Sequence, residues 1–454
     1  MGKLPRWLSV ALLVLSALPV PLPARAAEEL IVHEWGTFTS LQDEWGNTIG
    51  GINTDDEPVP DFVKDVARML LIKPGDAPPN FFQGAPSCHP DVTMRLETPV
   101  LYFHSATRFN KPVTVQVAFQ GGWLTQFFPG AMSQNPGINP DAARYGSLGD
   151  KTKSTLEWKD LRLSDHGTAV ATDMPVWLKP RMVNASFVQT TDDEAEKFLF
   201  YRGVAHLDAP VVVKQRDGKV EIAMRDRVSA RLTGIGGFWY VDIRQDQTAA
   251  FRWIAASDAK MVTTEAAFAE NDYGEIAKLK SEMHTALKAD GLFADEATAL
   301  LDTWELSYFK SAGRRLFFLV PEAWTNEVLP LSITPQCQIK RVMVGRVEMV
   351  TPEQRRFLAK IAAGPIPNSW DDVRQPLEKL TLTRKDTELW NNVLGGKTHL
   401  ADVPGYKLHP TYASYLDLGR FRNALILEEQ KRHPSENVDQ FIKNFGLNGY
   451  APTP

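Results

Sequence analysis

Beyond residue 26 the chain has no apolar run long enough to cross a bilayer, no surplus of basic residues, and only two cysteines, Cys88 and Cys337. Each shortage excludes something. A spanning helix needs roughly 20 consecutive apolar residues, so no transmembrane anchor is expected. Lys and Arg number 50 against 55 Asp and Glu, and without a basic patch or tail neither nucleic acid nor anionic lipid is expected as a partner. Two cysteines allow one intrachain bridge at most. Signature motifs are missing as well: there is no Gly-rich phosphate loop opening a helix, no dinucleotide fingerprint, no Gly-x-Ser-x-Gly elbow and no His-Glu-x-x-His helix.

What is present begins with MGKLPRWLSVALLVLSALPVPLPARA, residues 1–26. Basic residues precede an apolar stretch from Trp7 to Val20, prolines break it, and Ala24 and Ala26 supply the small residues of a cleavage site. This pattern predicts a secretory signal peptide and an exported product, periplasmic or secreted. Cleavage removes Lys3, Arg6 and Arg25 from the 50 basic residues and leaves 47 against 55 acidic, a balance of −8. In an exporting compartment a Cys88–Cys337 disulfide is the expected state of the two thiols. The competing reading, Cys88 as a nucleophile beside His89, suffers because adjacent strand residues point apart.

From Glu29 to about Ala255 short segments rich in β-branched and aromatic residues alternate with Gly, Pro, Asn and Asp, the pattern of strands and turns. In KPVTVQVAF, Val113, Val115, Val117 and Phe119 share one face, and Asp217-Gly218 marks a hairpin. After Ser257 the period changes. Ile276, Leu279, Met283 and Leu287, then Leu300, Leu301, Trp304 and Tyr308, predict a helical hairpin, and Thr351-Pro352-Glu353-Gln354 reads as a helix start with a capping box. The expected class is α+β: an antiparallel β-sandwich-like N-terminal domain followed by a mixed α/β to helical C-terminal half. Its divisions are a signal peptide over 1–26, a β-rich domain over 27–256, a helical hairpin plus strands over 257–350 and a mainly helical region over 351–454.

The densest chemistry lies in IVHEWGTFTSLQDEWGNTIGGINTDDEPVPDF, Ile31 to Phe62, where Glu-Trp-Gly occurs at residues 34–36 and again at 44–46. On a strand His33 shares a face with Ile31 and Trp35, while Glu34 faces the other way with Val32 and Phe38. His104 and His206 also sit on strands, so His33, His104 and His206 are candidate ligands for a divalent metal, three imidazoles leaving a position open for water. Glu34, Asp55 and Asp56 are the candidate catalytic carboxylates. Rings beside paired glycines, with twelve tryptophans in the chain, make Trp35, Trp45, Trp123 and Trp239 candidates for stacking on a sugar.

VHEWGTFTSL, GGINTDDEPVPDF, LETPVLYFHS, GGWLTQFFP, KFLFYRG and VMVGRVEMVTP together resemble a group of exported bacterial proteins sharing this HEWGTFTS opening. The resemblance spans nearly all of the chain after the signal peptide and transfers no catalytic residue. Compartment, acidity and aromatic loops favour binding or processing of a saccharide or other cell-envelope polymer. A metal-assisted hydrolase built on the strand histidines and a purely structural envelope component are the alternatives.

Overall fold

The computed structural model describes residues 30–52, 59–66, 89–105, 109–139, 144–225, 234–244, 246–256, 260–274, 276–368, 409–445 and 447. At its centre lies β1 (Leu30–Gln42), in which every residue but Ile31 is buried. A strand buried on both faces needs cover on both sides and neighbours on both edges. β2 (Met94–Ser105) flanks it antiparallel and β10 (Gln338–Met349) flanks it parallel. Outward from β2 come β6 (Leu199–Ala205), β4 (Gly122–Phe128) and β5 (Lys153–Ser164). Outward from β10 come β9 (Gly313–Leu319), β7 (Gly237–Ile243) and β8 (Ala249–Ala255). With β3 (Val113–Gln120) paired to β5, these strands belong to one fifteen-stranded mixed sheet.

The class is α+β, but a large mixed sheet stands where an antiparallel sandwich was expected. Strands from both sides of residue 256 share this sheet: β9 and β10 come from the later part of the chain and complete its middle. Strand periodicity shows which face is buried and says nothing about which distant strand lies alongside.

Several local expectations are met. β3 buries Val113, Val115, Val117 and Phe119. Asp217 and Gly218 both adopt positive φ in the tight hairpin turn. The helical hairpin is α1 (Ala277–Ala289), which buries Leu279, Met283 and Leu287, and α2 (Ala294–Thr303), which buries Leu300 and Leu301. Thr351 caps α3 (Pro352–Ala363) by accepting from the Gln354 backbone N–H at 3.2 Å, and Gln354 Oε1 accepts from the Thr351 backbone in return. The mainly helical region continues with α4 (Pro410–Asp417) and α5 (Arg422–Arg432), separated at Gly419 with φ +82°. α6 (Glu436–Phe445) follows.

The central sheet has two differently covered faces. Val32, Phe38, Leu101 and Phe103 pack with Val115 and Trp158, so the sheet curls over its own lower side. Trp35, Val100, Tyr102, Val342 and Val344 pack instead against the helical hairpin through Leu279, Leu300 and Trp304. The C-terminal helices form a further core around Tyr412, Leu425 and Phe441, joined to the sheet through Leu41 and Trp123.

Candidate functional site

β1 and β2 pair so that Ile31 faces His104 and His33 faces Tyr102. His33 and His104 are therefore diagonal neighbours on one face, within reach of each other across the pair. Their rings meet edge to face with centroids 5.2 Å apart. Over them lies the N-terminus of α2. Glu296, in the first turn, is fully buried, with Oε2 lying 2.7 Å from His33 Nδ1 and Oε1 2.9 Å from His104 Nε2. The backbone N–H of Phe293 donates to the same Oε2 at 2.7 Å, which satisfies one of the helix's unpaired N-terminal amides and locks the carboxylate's orientation. The Phe293 ring packs against both imidazoles, at 4.6 and 4.8 Å, and remains 45% exposed.

Burial pushes the Glu296 carboxyl up, but hydrogen bonds from His104 and His33, electrostatic attraction to His33 and the Phe293 amide outweigh it, and the group lies below its ordinary value. It is thus ionised at neutral pH and can only accept, so His33 carries its proton on Nδ1 and His104 on Nε2. Tyr102 beside them is different. Burial, followed by the charge of Glu296, pushes its phenol well up, and it donates to the Pro180 carbonyl at 3.0 Å as a fixed structural proton.

One donor atom from each of His33, His104 and Glu296 lies within 4.8 Å of the other two. Bond lengths of about 2.0–2.2 Å to a tetrahedral ion place neighbouring donors about 3.3 Å apart. The two observed nitrogen–oxygen separations, 2.7 and 2.9 Å, are a few tenths of an ångström shorter, so a small outward shift admits a cation. Without one, the same three groups satisfy each other and pin α2 to the sheet.

The third expected ligand is elsewhere. β6 runs antiparallel to β2 with Ala205 opposite Met94, which places His206 at the far end from His104, roughly 30 Å away at about 3.3 Å per residue. His206 Nδ1 lies 2.9 Å from the Asp91 carbonyl oxygen and serves the local loop. The member of the cluster that sequence reasoning missed is Glu296, 263 residues from His33 in sequence. Its only local signal is an acidic residue in the first turn of a predicted helix.

Glu34 is also fully buried, on the opposite face of β1, and its Oε2 accepts from Arg341 Nε at 2.5 Å while Tyr201 donates to Oε1. This closed ion pair corrects its assignment as a catalytic carboxylate, because both oxygens are taken by buried donors. Asp55 and Asp56 lie outside the described residues, as does Cys88. Cys337 is half-buried, and burial pushes its thiol up to about 11. Three of the four candidate stacking rings are core: Trp35 under the helical hairpin, Trp123 with Nε1 donating to the Pro136 carbonyl at 2.8 Å, and Trp239 against Trp253 at 4.5 Å. Their faces are used inside the protein. Trp45 alone of the four is open, at 51% exposure.

No family model matches the chain, and no curated protein is similar to it. Among solved structures, the yeast delta-COP-I mu-homology domain complexed with a Dsl1 WxWxV peptide matches at 10% identity and TM-score 0.23, over 71% of this chain and 96% of that one. The same domain without the peptide matches at 9% and 0.23, over 72% and 98%. A likeness this slight carries no argument. No helix among the described residues is long and apolar enough to cross a membrane.

Proposed function

We propose that this exported protein holds a divalent cation of the zinc class through His33, His104 and Glu296 and uses it for metal-assisted hydrolysis. One observation carries the reading: three donor groups from β1, β2 and the N-terminus of α2 converge within 4.8 Å, although His33 and His104 are separated from Glu296 by 263 and 192 residues. Two imidazoles and one carboxylate are a donor set that leaves a coordination position for water, and such an ion lowers the pKa of that water to about 7. The orientation of the carboxylate by the Phe293 amide and the partial opening at His104 support the reading. Substrates follow the compartment, a saccharide or another polymer of the cell envelope.

Elemental analysis of protein purified without chelator tests this. A stoichiometric transition metal is expected in the parent, with loss in His104→Ala and in Glu296→Gln at unchanged circular dichroism. Trace metal in the parent, together with no gain in melting temperature on adding zinc, would leave the cluster as a helix clamp.

A further inference from the structure

The far end of β1 opens into a second feature, unconnected with the metal site. Between residues 43–51, which follow β1, and the C-terminal end of α5 lies a cleft of about 810 Å³, within the range of small-molecule sites. Ten residues of strand separate Asp43 from His33, roughly 33 Å at about 3.3 Å per residue, so one ligand cannot span both places as a small molecule.

The cleft's walls differ in chemistry. Ile49, Pro90 and Leu427 make an apolar side, and the indole of Trp45 stands at the edge with half its surface exposed. The Arg432 guanidinium sits 4.0 Å from the centre of that ring and holds its orientation. Arg432 is itself engaged with Glu44 and Glu428, both at 3.4 Å. Lys431 is another matter: it lines the cleft, is exposed, and has no ion-pair partner among the described residues. Asp43 cannot contribute as a free acid, since its carboxylate accepts from the Trp45 and Asn47 backbone N–H groups and from the Asn47 side chain. A pre-oriented indole, an apolar wall and one uncommitted cation form a set that fits a ring with a flat C–H face and a negative group at its rim.

We propose that this cleft binds an acidic saccharide, a uronic-acid sugar whose ring lies against Trp45 and whose carboxylate pairs with Lys431. The apolar wall takes the ring's C–H surface, while hydroxyls reach Asn47 and Glu428. A neutral sugar would use the indole without the lysine, and a small aromatic acid would use both without the hydroxyl contacts.

Calorimetric titration of the full chain with tri-galacturonic acid, maltotriose and benzoate separates these. Tri-galacturonic acid is expected to bind, with maltotriose and benzoate at least tenfold weaker. Trp45→Ala and Lys431→Glu should each weaken binding at least tenfold with little change in melting temperature, and His104→Ala should bind like the parent. Because the metal ligands are intact in the two cleft variants, their metal content stays at the parent value, so failure here and failure of the metal reading are told apart. Three results would overturn the proposal: no binding of tri-galacturonic acid by the parent, equal binding of maltotriose or benzoate, or full binding retained by both cleft variants.

Discussion

The two copies of Glu-Trp-Gly have opposite fates. In the first, Glu34 and Trp35 are fully buried at the centre of the sheet, Glu34 sealed against Arg341 and Tyr201 and Trp35 packed under the helical hairpin. In the second, ten residues on, Trp45 is half exposed and Glu44 joins a solvent-facing network with Arg355 at 2.8 Å and Arg432 at 3.4 Å. The glycines differ in the same way. Gly36 lets the backbone of β1 pass close to β2, where an added Cβ would sit 3.0 Å from Pro99 Cα, whereas Gly46 turns the chain with φ +81°. Identical tripeptides thus become core in one place and a solvent-facing rim in the other, because one lies inside β1 and the other just past its end.

Substitutions at matched positions test that contrast, and the largest effect is expected at Trp35. Trp35→Ala empties a fully buried indole site and should cost about 3–5 kcal/mol in chemical denaturation. A loss below about 1 kcal/mol would mean that the first copy is not core. Glu34→Gln leaves the Arg341 guanidinium buried without its counter-charge. It should also cost about 3–5 kcal/mol, and Arg341→Gln made alongside it should cost little more, as a coupled pair requires.

His33→Ala comes next, at about 1–4 kcal/mol from a lost buried hydrogen bond and a small cavity. Measured in chelator, the melting temperature falls correspondingly; with zinc added, the parent gains stability and the variant does not. A variant that melts like the parent under both conditions would show that the imidazole neither supports α2 nor ligates.

The second copy should respond weakly. Burial pushes the Glu44 carboxyl up, but hydrogen bonds and charge from Arg355, with Arg432, hold it below its ordinary value of 4.5. A carboxyl lowered in the folded state contributes stability that is present above the unfolded value and is lost as pH falls through the folded one. Glu44→Gln should therefore flatten the acid side of the stability profile below about pH 4.5 by no more than about 1 kcal/mol, because solvent screens the network. Trp45→Ala should be smallest, within about 0.5–1 kcal/mol for one exposed cation–π contact, while abolishing any fluorescence change on sugar titration.

Glu34 and Glu296 sharpen the lesson for the site itself. Both are fully buried carboxylates near one end of β1. Glu34 is held by a guanidinium, which offers no lone pair, and by the Tyr201 phenol, which burial and the Glu34 charge keep protonated and donating, so its pocket is closed to cations. Glu296 is held by two imidazoles, each of which can offer a ring nitrogen to a metal in its neutral form. The identity of the partner, not the burial of the acid, separates a structural pair from a candidate metal centre.

Residues 30–52 illustrate how much was legible in the chain alone. Alternation along β1 placed His33 with Trp35 and Glu34 on the other side, since side-chain direction in a strand depends only on parity. The hairpin at Asp217-Gly218, the capping box at Thr351 and the stripe of α1 were readable for the same reason: each is set by residues within one or two turns of one another. The partners were not. That β10 would return parallel to β1, that His104 would lie diagonal to His33 while His206 went to the other end of the sheet, and that Glu296 would close over both depended on pairings between residues far apart in sequence. Periodicity carries no address for such pairings. They are decided when the sheet and its covering helices bury their apolar faces together, and that joint burial brought two of the three expected histidines to a carboxylate that no local pattern marked.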